Sequence, residues 1–418
     1  MKPARLIMGG MELSTQLRRE YRAACSRTDE LFAIVKPEAL FERPVPERHR
    51  LNFYIGHVEA FDWNMVCTYG LAMDPLRSDF NELFAFGIDP DSSDLPTDIP
   101  SDWPSLEETA SYCRSVRRVV EGALDQVDEA LARVCIEHRL MHAETLCYLL
   151  HNLDPSKKIV PPAEASRTLQ LKDDPVSSDE WITIPAGTAE LGRNPRSGFG
   201  WDNEFGEHSV AVPGFEIARH KVTNGEYLAY VGQGAEAPHY WTRNGNGWML
   251  RTMFGETPLP LDWPVYVTHL EARRFVEYAG STLPSEAQWI RAAYGSVNGA
   301  EKSPVFGKQG PRAGQGNYDF VRWDPCRVGS TSGSDSAFGV SQLVGNGWEW
   351  TSDLLRPFPG FREFPFYPGY SANFFDDQHY VLKGGSPRTA LPLLRRTFRN
   401  WFREGYPYAY STFRPVRT

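Results

Sequence analysis

Two histidines four positions apart, His138 and His142, stand in the run Glu137-His138-Arg139-Leu140-Met141-His142-Ala143-Glu144. On an α-helix, residues i and i+4 lie one turn apart on the same face, so the two imidazoles converge on one point. Neutral imidazole is a common ligand for divalent transition metals, and such a pair is a start towards a metal site. Glu144 is placed either to accept a ring N–H and orient a ligand, or simply to face solvent. Leu131, Val134, Cys135, Leu140, Leu146, Leu149 and Leu150 recur around the pair at helical spacing without Pro or Gly, which predicts a helix. An earlier histidine, His57, lies beside an apolar stripe of Phe53, Tyr54, Val58, Phe61 and Met65. Taken alone, each has a plainer reading: a helix-surface pair with one ring hydrogen-bonded, and a satisfied histidine near a core.

The chain that must position these rings has 418 residues, too many for one ordinary core, and its two parts differ in character. Helical patterns run over 11–35, from about Pro46 to Met73, and from a Ser105 cap with Glu107 and Glu108 in its first turn to about Val134. The last leads into the His138 helix. Together they predict an antiparallel four-helix bundle over 1–153, an architecture that builds metal sites from facing helices. Between them, Asp74 to Pro104 breaks the pattern and reads as a long acidic and aromatic loop, functional or a lid. Residues 154–179 turn polar and read as a linker. From 180 to 418 the chain is rich in Gly, Trp and Tyr. Strands are expected at Trp181–Gly187 and Val210–Phe215, and helices at His269–Ala279 and after a Ser285 cap. The remainder should be irregular, ordered by aromatic packing rather than by a regular ladder. The fold class is α+β.

With 41% hydrophobic and 23% charged residues, the composition is that of a soluble globular protein. No run of 18 apolar residues predicts a membrane span, and Met1–Gly10 has too short an apolar core for a signal peptide, so a cytoplasmic location is expected. A net charge of −9 argues against nucleic acid as a partner. Five of the six cysteines fall within the first 147 residues, with no C-x-x-C pair, and read as buried free thiols.

Several stretches of the second part resemble the formylglycine-generating-enzyme fold, a C-type-lectin-like α+β domain. These are Pro213-Gly214-Phe215-Glu216-Ile217 with Val222-Thr223-Asn224, then Leu283-Pro284-Ser285-Glu286-Ala287-Gln288-Trp289. Gly345-Asn346-Gly347-Trp348-Glu349-Trp350-Thr351 and Leu382-Lys383-Gly384-Gly385-Ser386 follow in the family's order. True formylglycine-generating enzymes hold copper with two cysteines here; only Cys326 is present, which argues against that activity. The first part resembles the DinB-like four-helix bundle, in which one early histidine joins an H-x-x-x-H-x-E pair, matching His57, His138 and His142. The two together resemble the ergothioneine-type sulfoxide synthases, non-haem iron enzymes that use oxygen to join a sulfur donor to imidazole C2 of trimethylhistidine (hercynine). The resemblance implies Fe(II) on His57, His138 and His142, with O2 as co-substrate. It further implies a substrate site at Arg399, Asn400, Trp401 and Phe402, with Trp401 facing the trimethylammonium group. Tyr367 or Tyr370 is the implied proton donor, and Tyr410 to Pro415 resembles the family's closing G-F-R strand, with Thr412 for Gly.

Two departures bear on the donor. Met141 stands where one branch has a substrate-contacting Gln, and the loop after the first ligand helix lacks that branch's arginines for γ-glutamylcysteine. It reads Asp89-Pro90-Asp91-Ser92-Ser93-Asp94 instead, which would repel a dicarboxylate donor. The selenoneine synthases, built on the same two domains and using a selenosugar, fit these departures better. An ergothioneine- or ovothiol-type synthase using cysteine or γ-glutamylcysteine is the alternative. A non-catalytic lectin-like binding module and a DinB-type thiol transferase are readings from other classes.

Overall fold

The structure, a computed structural model, describes residues 3–85, 95–165, 180–245, 247–296, 311–331 and 335–418, with backbone alone at 3–13, 163 and 165. The chain forms two compact units, 1–167 and 168–418. The acidic run Asp89–Asp94 and most of the expected linker lie outside the described residues.

Unit 1 is built from α1 (Pro3–Ala33), α2 (Leu51–Asp62), α3 (Ser78–Phe84), α4 (Leu106–Ala123), α5 (Glu129–Asn152) and the single turn α6 (Pro162–Ala165). Helix α1 packs along α5, and α2 against α4, α3 and α5. Leu17, Tyr21 and Leu31 of α1 and Leu131, Val134, Leu146, Leu149 and Leu150 of α5 supply buried apolar faces, while Phe32 is only half-buried. Three expectations change. Helix α2 starts at Leu51 rather than near Pro46, because its first amides, Leu51 N and Asn52 N, donate to the Glu42 and Leu40 carbonyls of the preceding turns at 3.0 and 2.8 Å. The Asp74–Pro104 stretch contains a helix, α3, which buries Phe80 and Phe84. The helix that starts at Ser105 ends at Ala123, because Asp128 Oδ1 accepts from Ala130 N at 2.8 Å and caps a new helix, α5. The Ser105 cap itself is as expected: its hydroxyl accepts from Glu108 N at 3.2 Å and Glu108 reaches back to Ser105 N at 3.1 Å. Beyond Asp62, α2 widens into a π-helix, Trp63–Gly70. No described helix is long and apolar enough to cross a membrane.

Unit 2 opens with β1 (Trp181–Ile184), β2 (Gly187–Leu191), β3 (His208–Val212), β4 (Phe215–Ala218) and α7 (Asn224–Val231). Then come β5 (Trp241–Asn244), β6 (Gly247–Thr252), β7 (Gly255–Pro258), α8 (His269–Tyr278) and α9 (Glu286–Tyr294). It closes with β8 (Trp348–Leu354), β9 (His379–Lys383), β10 (Asn400–Arg403), β11 (Ser411–Thr412) and β12 (Val416–Arg417). The strands form sheets ordered β1-β4-β12, β10-β9-β8-β11, β2-β3 and β5-β6-β7. The unit is thus more regular than its sequence suggested, because strands of two to seven residues are too short to show alternation. Each helix α7, α8 and α9 begins with a capping box, from Thr223, Thr268 and Ser285.

The recognised motifs meet inside. Glu349 of β8 accepts from Trp289 Nε1 at 3.0 Å, from Arg414 at 3.0 and 3.2 Å, and from Lys221 Nζ. Ile184, Phe215, Ile217, Ile290 and Leu343 pack the core around this network. Gly384 (φ +98°) passes so close to Leu343 that a Cβ would sit 2.5 Å from its carbonyl oxygen, so only glycine fits.

Candidate metal centre and candidate substrate site

Helix α2 carries His57 and α5 carries His138 and His142, all three at most 6% exposed. One ring nitrogen of each lies within 4.8 Å of the others, and the Nε2 atoms of His138 and His142 are 3.1 Å apart. The rings are held from outside. His57 Nδ1 lies 2.8 Å from the Phe84 carbonyl and must donate to it, which leaves Nε2 as a lone-pair donor facing the other two. Phe84 can approach because residue 56 is glycine: a Cβ there would fall 2.4 Å from the Phe84 ring. His138 stacks on Phe61 (3.5 Å between centroids, 13°) and His57 on Phe53 (4.8 Å, 24°). Burial pushes the His57 imidazolium down to about 4, against the opposing bond to Phe84. Burial, and then the neighbouring histidines, hold His138 and His142 well below the ordinary histidine value. All three are therefore neutral at pH 7, the form that ligates.

The donor set suits a divalent transition metal. Metal–nitrogen bonds of ~2.1 Å at right angles would set neighbouring nitrogens ~3.0 Å apart. The His138–His142 separation of 3.1 Å matches that edge. Glu144 is buried, at 9% exposed, and not the solvent-facing carboxylate of the plainer reading.

A buried charge network that the sequence did not signal lies beside the rings. Arg139, next to His138, donates to Asp62 Oδ2 at 2.5 Å, to Glu59 at 2.5 and 3.2 Å, and to Tyr21 Oη at 3.3 Å. It ties α5 to α2 and α1. Arg117 of α4 donates to Glu59 Oε1 (Nε 3.1 Å) and to Asp29. The one available hint was an arginine inside the metal motif, one residue from a ligand.

In unit 2, Trp401 lies on β10, the edge strand of its sheet, with its ring 5.4 Å from both Tyr370 and Phe374. Tyr370 stacks in turn on the fully buried Trp201 (4.1 Å, 25°), and Tyr367 is 5.5 Å from Tyr370. Burial, and then the Asp202 carboxylate, push the Tyr367 hydroxyl up to about 12. The structure thus brings Trp401, Tyr367 and Tyr370 into one aromatic group. Asn400 and Phe402 project from the opposite face of the strand, since neighbouring side chains alternate. There Phe402 stacks on Tyr406 (4.9 Å, 4°), and the Asn400 side-chain oxygen accepts from Trp401 N at 2.9 Å. Arg399 turns inward. Buried at 3% exposed, it donates to both Glu286 oxygens at 3.1 Å and to the Arg356 carbonyl at 2.9 Å, so it supports β10 from within.

Residues 168–418 match the family described as "Sulfatase-modifying factor enzyme 1-like domain". The "Hercynine oxygenase" of Mycolicibacterium smegmatis is 32% identical over 357 residues, covering 77% of this chain and 78% of that protein. The chain belongs to the ergothioneine-type sulfoxide synthase family. "Ergothioneine biosynthesis protein 1" of Neurospora crassa is 27% identical over 489 residues, 91% of this chain and 55% of its own length. Its namesake in Schizosaccharomyces pombe is 28% identical over 427 residues, 92% of this chain and 54% of its own. The chain spans about half the length of these two fungal relatives.

Proposed function

We propose that the chain is a non-haem Fe(II), oxygen-dependent enzyme that joins a chalcogen donor to imidazole C2 of trimethylhistidine. The observation that carries this reading is the buried convergence of three neutral imidazoles. His57, His138 and His142 would hold the iron, which when bound supplies oxygen activation and open positions for substrates. The hercynine oxygenase of Mycolicibacterium smegmatis, of which the chain covers 78%, supports trimethylhistidine as the acceptor. Trp401 presents a π-face for the trimethylammonium group, whereas the Asn400 amide lies on the other face of the same edge strand and would reach the substrate's polar end only around that edge. Phe402 closes the Asn400 face. Of the two tyrosines we favour Tyr367 as the proton donor, because Tyr370 is packed between Trp201 and Trp401.

For the donor we favour a selenosugar, giving selenoneine synthesis. The supporting feature is the sequence Asp89-Pro90-Asp91-Ser92-Ser93-Asp94, where an arginine cluster for a dicarboxylate would be needed. A sulfur donor, cysteine or γ-glutamylcysteine, is the second reading, favoured by the names of the fungal relatives.

The test loads the protein with Fe(II) and offers trimethylhistidine, oxygen and each donor in turn, with products read by mass spectrometry. A selenium adduct formed faster than any sulfur adduct is expected. A sulfoxide from a thiol, with no selenium adduct, would replace the first donor by the second. Thiol transfer under strict anaerobiosis with zinc would point to a DinB-type transferase. Ligand binding without stoichiometric metal would point to a lectin-like module.

A further inference from the structure

The short turn Asp202-Asn203-Glu204 is bonded on both sides to the segments that carry the proposed chemistry. On one side, Asp202 Oδ1 accepts from Ser371 Oγ at 2.6 Å, and Ser371 directly follows Tyr370. On the other, Glu204 accepts from Arg395 Nε at 2.8 Å and from Thr397 Oγ1 at 2.6 Å, both in the segment that leads into β10. Arg399 Nη1 reaches the Asn203 carbonyl at 3.5 Å. The turn therefore spans from the tyrosine loop to the strand that bears Asn400 and Trp401.

Asp202 is the unusual member. Among the described residues it is fully buried, forms no ion pair, and its Oδ2 makes no hydrogen bond of normal geometry, although the backbone amides of Asn203 and Phe364 lie close enough to favour its charge. A buried carboxylate left in this state costs stability that an uncharged residue would not. Burial pushes it up to about 6, against the Ser371 hydroxyl and the Asn203 amide, while its charge is felt at Tyr367. Trp201, the residue before it, stacks on Tyr370 and meets Tyr367 edge-on at 6.4 Å.

We propose that Asp202 is a positioning residue: through Ser371 it latches the tyrosine loop to the turn and so fixes Tyr367 relative to Trp401. This rests on the reading of Tyr367 as proton donor. An interior held by packing alone would allow that loop to shift, and a displacement of about 1 Å at a reacting group can cost about 100-fold in rate.

The experiment uses the iron-loaded full chain with Asp202→Ala, Ser371→Ala, Tyr367→Phe and the pairwise combinations. Hydrogen exchange of the 363–375 amides is read first, and then adduct formed per oxygen consumed alongside kcat and KM. We expect exchange of the loop to rise in Asp202→Ala and Ser371→Ala while that of β8 and β9 is unchanged. We also expect kcat to fall about 10- to 100-fold with KM for trimethylhistidine within about twofold. Fewer adducts should form per oxygen, as in Tyr367→Phe, and Asp202→Ala/Tyr367→Phe should be no worse than Tyr367→Phe, since both act on one group. Unchanged loop exchange in Asp202→Ala overturns the latch whatever Tyr367 does. Fully additive losses overturn it as well. Full turnover in Tyr367→Phe would instead sink the proton-donor reading and, with it, the catalytic half of the proposal.

Discussion

Replacing Arg139 by methionine tests whether the charge network beside the histidines sets the geometry of unit 1. Arg139 is fully buried and donates to two carboxylates and a phenol on two other helices. Methionine keeps much of the volume and removes every donor. Glu59 retains Arg117, while Asp62 keeps the 2.7 Å bond from Tyr21 Oη but loses its cation. Burial already raises Asp62 to about 6 with Arg139 in place, so without it the carboxyl must take up a proton or sit uncompensated in the interior. Removing one partner of a buried ion pair costs ~3–5 kcal/mol, and the retained contacts of Glu59 put Arg139→Met near the lower end. Because the chain has two units, hydrogen exchange of α2 and α5 peptides is the suitable assay, giving an opening free energy for unit 1 alone. The expected fall is ~3 kcal/mol, about a 150-fold rise in the open population. Adding Asp62→Asn should restore more than ~1 kcal/mol, because the unpaired charge is then gone. A fall below ~1 kcal/mol, or no recovery in the double variant, would refute the reasoning.

Other expectations follow from the same structure. Gly56→Ala places a methyl into the Phe84 ring and disturbs the carbonyl that orients His57, so Fe(II) affinity measured by anaerobic titration should fall ~10-fold or more. Glu349→Gln leaves the buried Arg414 and Lys221 without a carboxylate, and unit 2 should lose ~3–5 kcal/mol in denaturant unfolding followed by tryptophan fluorescence. His269 is buried, stacks on Tyr380 at 3.7 Å, donates from Nε2 to the Thr351 carbonyl, and is pushed by burial down to about 4. Its unfolded form takes a proton near 6.5, so stability present above that pH is lost as pH falls towards 4, by at most ~3 kcal/mol. His269→Gln should flatten that part of the stability–pH profile of unit 2.

How far the sequence could be read depended on how local each determinant is. Caps at Ser105 and Ser285 were legible because each is closed within four residues. The His138–His142 pair was legible from helical spacing, and His57 could be added only through resemblance, since nothing in its own surroundings distinguishes it from a core histidine. Helix α3 is not legible in the sequence, because seven residues among acidic and proline-rich neighbours show too little periodicity. The stop at Ala123 was hidden because Leu124 and Val127 continue the apolar pattern, and only the Asp128 cap interrupts it. The inward turn of Arg399 depends on Glu286, which is 113 positions away, and the Ser371–Asp202 bond spans 169. No window along the chain contains such a pair. The motifs from Leu283, Gly345 and Thr412 onward were visible as fragments, but their common purpose, the network around Glu349, exists only in the folded unit.

The measurement that bears most directly on the central claim follows the C2 position of the acceptor. Trimethylhistidine deuterated at imidazole C2 would be incubated with the Fe(II)-loaded chain, oxygen and a selenosugar or thiol donor, and the products weighed by mass spectrometry. The account predicts an adduct that has gained selenium or sulfur and lost the deuterium, formed only with iron and oxygen, and absent in His138→Ala. Deuterated trimethylhistidine returned unchanged with every donor, from a preparation holding one iron per chain, would contradict it.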